Sequence, residues 1–191
     1  IDEAVIRFAG DSGDGMQLTG GRFTETTAIV GNDLSTLPDF PAEIRAPAGS
    51  LAGVSAFQFK FSSKDIHTPG VNPDVLVAMN PAALKVHQKE IIPGGTLIIN
   101  TDAFTKKNLK FAGYESNPIE DGSLDDYFTL IPIEMNKMVT AACEGLDLSP
   151  KLVGRTKNLF ALGILFYMYD RPLDATEAWL KKKFKGKDAI I

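Results

Sequence analysis

The run GDSGDG from Gly10 to Gly15 is the segment of this sequence best suited to bind an anion. It follows a predicted strand and precedes a predicted helix. Glycine permits positive φ angles and close approach of a ligand to the main chain, and the first turn of a helix presents unpaired N–H groups with a partial positive charge. We predict that this turn binds the phosphates of a nucleotide-type cofactor, although a tight turn without a ligand would have the same composition. The predicted cradle consists of Ser12, Gly13, Asp14, Gly15 and Met16.

Three side chains near the predicted cradle each have two interpretations. The carboxylate of Asp14 repels phosphate, so this residue either belongs to the cradle or caps the following helix. Arg45 lies in a proline-flanked loop, from which it could donate two hydrogen bonds to a phosphate; the alternative is an ion pair with Glu43. Asn80 ends a predicted parallel strand, where ligands of α/β proteins bind, but a helix N-cap explains this residue without a ligand.

Other polar residues have simpler interpretations. Arg155, Lys157 and Asn158 begin an apolar helix and could contact an anion, although a cap or an inter-domain contact is the more conservative interpretation. We expect His67 and His87 to face solvent. Cys143 is predicted to be a buried apolar residue. Lys181, Lys182 and Lys183 are predicted to form a solvated helix end. Since no metal-ligand spacing is present, we predict no metal site and no catalytic residue in this chain.

The glycine run shares features with three known kinds of site. Gly10, Ser12 and Gly15 match the spacing of a dinucleotide-binding Rossmann turn, but the acid that should follow a second strand would be Asp33, in a stretch that resembles a loop. The letters GDSG also occur in serine proteases, but both histidines follow Ser12, which is the wrong order for a chymotrypsin-like enzyme. No Lys-Ser or Lys-Thr pair follows Gly15, so a P-loop is excluded.

The pattern of elements predicts an α/β fold with three α/β/α layers and a mostly parallel, mixed sheet. The stretch Asn32–Ser50 is predicted to be irregular because of its prolines, and Val54–Phe61, with one polar face, is predicted to be antiparallel or at a sheet edge. The other predicted strands are Val5–Phe8, Val75–Met79, Thr96–Ile99 and Phe128–Pro132. The predicted helices are Met16–Val30, Pro81–Glu90, Glu134–Cys143, Arg155–Tyr169 and Asp174–Phe184, the last with a capping box formed by Asp174 and Glu177.

Composition limits the class of protein. The 191 residues fit one domain, and the net charge of −4 argues against nucleic acid or an anionic membrane as a partner. A single cysteine excludes an internal disulfide and favours a reducing, cytoplasmic location. Both ends of the chain look cut, so we expect residues 1–191 to be one domain of a longer polypeptide.

Five motifs in one order add a family resemblance. They are GDSGDG, the loop FPAEIRAPAGSLAGVSAFQ (Phe40–Gln58), the strand end VAMNPAAL (Val77–Leu84), the turn PGGTLIIN (Pro93–Asn100) and the run GRTKNLFALG (Gly154–Gly163). Together they resemble the γ domain of 2-oxoacid:ferredoxin oxidoreductases, in particular the γ region at the N-terminus of a fused α subunit of the 2-oxoglutarate type. Ser12 departs from the glycine that many stand-alone γ subunits have there.

The resemblance implies an enzyme that converts a 2-oxoacid and coenzyme A to acyl-CoA and CO2 and reduces ferredoxin. It implies that thiamine diphosphate, Mg2+ and iron–sulfur clusters are held by other domains and subunits of a hetero-oligomer, since one cysteine cannot hold a cluster. The γ domain would help to bind coenzyme A and cover the active site. Two alternatives stay open: a Rossmann-type nucleotide-dependent oxidoreductase, and a structural interface domain without a ligand.

Overall fold

The computed structural model describes residues 2–43 and 46–185, which form one six-stranded sheet and seven α-helices. The strands are β1 (Glu3–Asp11), β2 (Asp33–Asp39), β3 (Val54–Ser62), β4 (Val75–Ala78), β5 (Thr96–Asn100) and β6 (Thr129–Ile133). The helices are α1 (Met16–Ile29), α2 (Pro81–His87), α3 (Lys106–Phe111), α4 (Met135–Ala142), α5 (Pro150–Arg155), α6 (Lys157–Met168) and α7 (Asp174–Lys183). Within these residues no helix is long and apolar enough to cross a membrane.

The sheet is mixed, with the strand order β2-β3-β1-β4-β5-β6. Strands β1, β4, β5 and β6 are parallel neighbours. Strand β3 is antiparallel to both β1 and β2. The predicted mostly parallel, mixed sheet is therefore confirmed. The carboxyl ends of the central strands β1 and β4 lie side by side.

Apolar side chains cover both faces of the sheet, as expected for a three-layer fold. On one face, Phe23 of α1 and Leu165 of α6 pack against strand residues such as Phe59. On the other face, Leu84 of α2 and Leu109 of α3 pack against residues of β4 and β5. The continuous apolar runs of β4 and β5 follow from this arrangement, because both faces of a central parallel strand are buried. The three α/β/α layers are confirmed.

In the antiparallel half of the sheet, one prediction was wrong and one is confirmed. The stretch predicted to be irregular contains β2, whose Pro38 is accommodated because an edge strand needs hydrogen bonds on one side only. Strand β3 was predicted to be antiparallel or at an edge; it is antiparallel to both neighbours and lies between β2 and β1. Its polar face is buried: Gln58 is 1% exposed because it pairs with a buried arginine.

Two helix starts also differ from prediction. The long apolar helix does not begin at Arg155, where α5 ends; after a break at Thr156, α6 starts at Lys157. The last helix has no capping box, since Leu173 is its N-cap residue and its side chain cannot accept a hydrogen bond. Asp174 and Glu177 instead lie in the first turn of α7, where carboxylates interact favourably with the helix dipole.

A buried polar cluster corrects the prediction for His87, which is 2% exposed rather than solvated. The guanidinium of Arg7, in β1, donates to His87 Nδ1 at 2.8 Å, to Gln58 Oε1 at 2.6 Å and to the carboxylate of Glu90. Gln58 in turn donates to the carbonyls of Pro69 and Gly70 at 3.0 and 2.9 Å. The cluster holds the connection between β3 and β4 against the sheet, and the hydrogen bonds among its members offset the cost of burying the paired groups.

Candidate phosphate-binding site

The glycine turn connects β1 to α1 in the way that the sequence predicts. Gly15 is the N-cap residue of α1 and has left-handed backbone angles (φ 76°, ψ 29°), which glycine adopts without steric cost. An added Cβ at this position would lie 2.4 Å from Nδ2 of Asn158, at the start of α6. The turn therefore requires glycine at this residue for two reasons, and it brings the first residues of α1 and α6 into contact.

Some of the main-chain amides predicted to bind phosphate are used within the protein. Ser12 N–H donates to the Gly53 carbonyl at 3.1 Å, and Asp14 N–H donates to the Asp11 carbonyl at 2.8 Å. The N–H groups of Gly13, Gly15 and Met16 have no acceptor among the described residues. Three main-chain donors of the turn are therefore not used within the described protein, while the N–H groups of Ser12 and Asp14 fix the shape of the turn. The Met16 side chain itself is in the core.

Asp14 does not cap α1, although the sequence allowed that interpretation. Its Oδ2 accepts from Asp11 N–H at 3.1 Å, and its Oδ1 lies 2.7 Å from Lys157 Nζ in a largely buried ion pair. Asp11, at the end of β1, accepts a hydrogen bond from Gly49 N–H at 2.9 Å. Burial raises the pKa of Asp11, repulsion from Asp14 adds to the effect, and the bond from Gly49 opposes it.

A cavity of about 350 Å³ opens between the glycine turn and the start of α6. Its walls consist of Gly13, Asp14, Gly154, Arg155, Lys157 and Asn158. A larger cavity of about 990 Å³, between α4 and α5, adjoins it and shares Gly154 and Lys157. The glycine side of this cavity was predicted from the sequence. The opposite wall contains Arg155, Lys157 and Asn158, for which a helix cap or an inter-domain contact was the favoured interpretation.

The remaining predicted site residues differ in how far the structure describes them. Asn80 is 5% exposed, and its Oδ1 accepts from Ala83 N–H at 2.8 Å, so it is the N-cap of α2 as the simpler interpretation holds. Asn80 nevertheless follows the carboxyl end of β4, and the glycine turn follows the carboxyl end of the neighbouring parallel strand β1. Arg45 lies outside the described residues.

The histidines and the cysteine add no further chemistry to the site. His67 is exposed, as predicted. Cys143 is half-buried rather than buried, because α4 is covered on one side only and its end borders the larger cavity. Among residues 2–43 and 46–185, no group of three His, Cys, Asp or Glu side chains could hold a metal ion.

Burial changes the chemistry of His87, away from the turn. Burial is the main cause that lowers the pKa of His87, and the positive charge of Arg7 lowers it further, while Glu90 opposes both. Since Nδ1 accepts from Arg7, the ring is neutral with its proton on Nε2, which has no partner among the described residues. A neutral, enclosed imidazole of this kind is a structural group rather than an anion ligand.

Several known proteins resemble this chain over its whole length. The subunit KorA of a 2-oxoglutarate oxidoreductase from Mycobacterium tuberculosis is 53% identical over 190 residues, which cover all of this chain and 29% of that protein. Two solved structures have the same fold. One is a 2-oxoglutarate:ferredoxin oxidoreductase from Magnetococcus marinus with 2-oxoglutarate, coenzyme A and succinyl-CoA bound (TM-score 0.73, 24% identity, all of this chain and 29% of that one). The other is the γ subunit of a keto/oxoacid ferredoxin oxidoreductase from Geobacter sulfurreducens (TM-score 0.64, 15% identity, all of this chain and 93% of that one).

The match to a family covers nearly every residue. The sequence pattern of the pyruvate ferredoxin/flavodoxin oxidoreductase family matches residues 5–191. The chain spans less than a third of the length of the Mycobacterium relative. The resemblance read from the five ordered motifs is confirmed at the level of the family. With the β1–α1 turn, the mixed sheet and this match in agreement, the chain belongs to the pyruvate ferredoxin/flavodoxin oxidoreductase family.

Proposed function

We propose that this chain is the γ-type domain of a 2-oxoglutarate:ferredoxin oxidoreductase, in which it binds coenzyme A and covers the active site. The observation that carries the proposal is the open cavity between the glycine turn and α6, where Gly13, whose N–H has no partner among the described residues, faces the first turn of a second helix. Coenzyme A has a pyrophosphate and a 3′-phosphate, and such groups bind well to N–H donors at a helix start. The larger adjoining cavity offers room for the rest of a nucleotide.

The choice of substrate rests on the Mycobacterium relative, a 2-oxoglutarate oxidoreductase subunit with which this chain shares 53% of its residues. The Magnetococcus enzyme, which has the same fold, was solved with coenzyme A bound, and this makes coenzyme A the first ligand to test. We infer that the complete enzyme forms succinyl-CoA and CO2 from 2-oxoglutarate and coenzyme A and passes two electrons to ferredoxin.

The redox cofactors of the proposed enzyme would be bound elsewhere. One cysteine in 191 residues cannot provide the thiolates of an iron–sulfur cluster. We therefore assign thiamine diphosphate, Mg2+ and the cluster to the other domains and subunits of a cytoplasmic hetero-oligomer, with which this domain would share the coenzyme A site.

The topology counts against the alternative of a Rossmann-type site. In that fold the second strand is parallel to the first and lies next to it, and an acid at its end binds the ribose. Here β3, which is antiparallel, occupies that position. Asp33 lies at the start of β2, and its carboxylate accepts from the N–H groups of Leu34 and Ile66 at 2.9 and 2.6 Å. No ribose acceptor of the Rossmann kind is therefore available at Asp33.

Calorimetric titration of the chain with coenzyme A and, separately, with NAD tests the proposal. We expect coenzyme A to bind and NAD to bind at least ten times more weakly. Tighter binding of NAD would favour the Rossmann alternative. Binding of neither ligand, together with tight association with thiamine-containing subunits, would favour a structural interface domain and contradict the assignment of coenzyme A.

A further inference from the structure

We propose that the first turn of α6 supplies the cationic half of the anion site, with Lys157 and Asn158 as ligand-binding residues and Asp14 as the residue that positions Lys157. The inference rests on the proposed function, because it concerns the phosphate groups of the same ligand. It extends that function by assigning ligand-binding residues to the wall of the cavity that faces the glycine turn. Lys157 in this wall adds a positive side-chain charge, which the glycine turn does not have.

Asn158 provides the evidence that this wall faces a ligand. The residue is 6% exposed and borders the cavity. Its Oδ1 accepts from Leu159 N–H at 2.8 Å, whereas its Nδ2 has no acceptor among the described residues. Nδ2 is not among the fully enclosed side-chain atoms without a partner, so this amide donor is open to the cavity while the rest of the residue is buried. A donor that is held in place and left open in this way is suited to an oxygen of a bound ligand. Nδ2 lies 2.4 Å from the position of a Cβ on Gly15, so this donor is next to the glycine turn, whose Gly13 lines the same cavity as Asn158.

Lys157 provides a charge that is held in position before a ligand arrives. Its side chain is 25% exposed, and Nζ lies 2.7 Å from Asp14 Oδ1, whose side chain is 13% exposed. An ammonium group has three N–H donors. One bond to Asp14 therefore leaves donors for a phosphate oxygen. Asp14 is itself fixed by the hydrogen bond that its Oδ2 accepts from Asp11 N–H. The side chain of Lys157 is therefore already ordered in the free protein, and ligand binding costs less of its conformational entropy.

The charges around the cavity favour an anion. Lys157 and Arg155 carry positive charges, and Asp14 carries the only negative charge among the residues that line the cavity. Arg155 is exposed at the rim and forms no ion pair with a carboxylate of the described residues. The starts of α1, with 14 residues, and α6, with 12, also direct their partial positive charges to this space. A polyphosphate is the ligand that this combination recognises.

The inference is tested by titrating the chain with coenzyme A and with inorganic pyrophosphate, for the wild type and three variants. Lys157→Met removes the charge but keeps the apolar stem. Asn158→Asp replaces the donor with an acceptor of the same shape. Lys151→Met is the matched control, because this lysine of α5 is exposed and does not border the cavity. Amide chemical shifts of Gly13 and Gly15 report whether the ligand binds at the turn, and thermal melting shows that each variant is folded.

We expect Lys157→Met and Asn158→Asp to weaken the binding of both ligands by about 10- to 100-fold, the effect of losing a charge-assisted hydrogen bond, while Lys151→Met changes the affinity less than twofold. Equal affinity of the wild type and Lys157→Met for coenzyme A would overturn the inference and leave the proposed function standing. Pyrophosphate binding that depends on Lys157, with no binding of coenzyme A, would support the anion site and contradict the proposed function. If the amides of Gly13 and Gly15 do not shift with either ligand, the site is not at this turn and the inference fails.

Discussion

The side-chain amide of Asn158 lies directly against the main chain of Gly15, so that a methyl group on Gly15 would come within 2.4 Å of Nδ2. This contact joins the start of α6 to the turn that opens α1, although the two residues are far apart in the sequence. Both conditions at Gly15, the close neighbour and the left-handed backbone, exclude a side chain there. The contact therefore makes the geometry of the candidate site sensitive to a single methyl group.

Gly15→Ala should disrupt the site more than it disrupts a simple turn. The alanine must adopt a left-handed conformation, which costs about 1–2 kcal/mol, and must also displace Asn158, which adds about 1–3 kcal/mol of overpacking. We expect a loss of about 2–5 kcal/mol of unfolding free energy, measured by urea denaturation, together with loss of coenzyme A binding.

Gly31→Ala is the matched control for this variant. Gly31 follows α1 with φ 92°, and an added Cβ would meet nothing within 4 Å. We expect a loss of about 1 kcal/mol, from backbone strain alone, and unchanged ligand binding. Equal losses of stability in the two variants would contradict the role that we give to Asn158.

Two adjacent glycines within α1 should respond to alanine in opposite directions. A Cβ on Gly20 would lie 2.0 Å from the ring of Phe57, whereas a Cβ on Gly21 would meet nothing within 4 Å. Gly20→Ala is therefore expected to destabilise the fold by about 1–3 kcal/mol, because α1 must move away from β3. Gly21→Ala is expected to stabilise the fold by about 0.5–1 kcal/mol, because alanine loses less entropy in a helix. Chemical denaturation of both variants measures the difference, and changes of the same sign would mean that α1 does not pack on Phe57 as described.

Acid should destabilise the fold through His87. In the unfolded chain this histidine binds a proton near its ordinary pKa of 6.5, whereas burial and Arg7 lower the pKa in the folded protein. The unfolded state therefore holds more protons just below pH 6.5, so the contribution of His87 is complete above that pH and is lost as the pH falls through the folded pKa. We expect the free energy of unfolding to decrease on acidification from pH 7 to pH 5.

The comparison of His87→Gln with His67→Gln isolates this effect. His67 is exposed and serves as the control. The pH dependence between 7 and 5 should become shallower in His87→Gln and stay as in the wild type in His67→Gln. An unchanged slope in His87→Gln would contradict the assignment of this pH dependence to His87.

Arg45→Ala in the complete enzyme should raise the KM for coenzyme A and leave the binding of thiamine diphosphate unchanged. Gly49, four residues after Arg45 in the sequence, contacts the glycine turn, because its N–H donates to Asp11 Oδ1 at 2.9 Å. Loss of one charge-assisted contact corresponds to about a tenfold increase in KM. Steady-state kinetics with coenzyme A as the varied substrate measures it, with Lys151→Ala as the control; unchanged kinetics would remove Arg45 from the site.

The local features of the fold could be predicted from the sequence because a few neighbouring residues determine them. Asn80 and Pro81 start α2 through hydrogen bonding within one helical turn. Gly31, with φ 92°, follows the end of α1 for a similarly local reason. The apolar runs of β4 and β5 reveal central strands, because both faces of such strands are buried. The glycine turn and its position before α1 belong to the same group.

Residues distant in the sequence meet only in the folded chain, and their roles were decided by the tertiary structure. Lys157 and Asn158 resemble an ordinary helix start in the sequence, and they become a wall of the candidate site because α6 packs beside α1. In the sequence His87 resembles a solvated helix residue. In the structure it is buried because α2 packs against β1, where the imidazole accepts a hydrogen bond from Arg7. Pro38 predicts a loop, and it lies in a strand because β2 is at the edge of the sheet. In each case the deciding partner is on another element, so no local pattern could identify it.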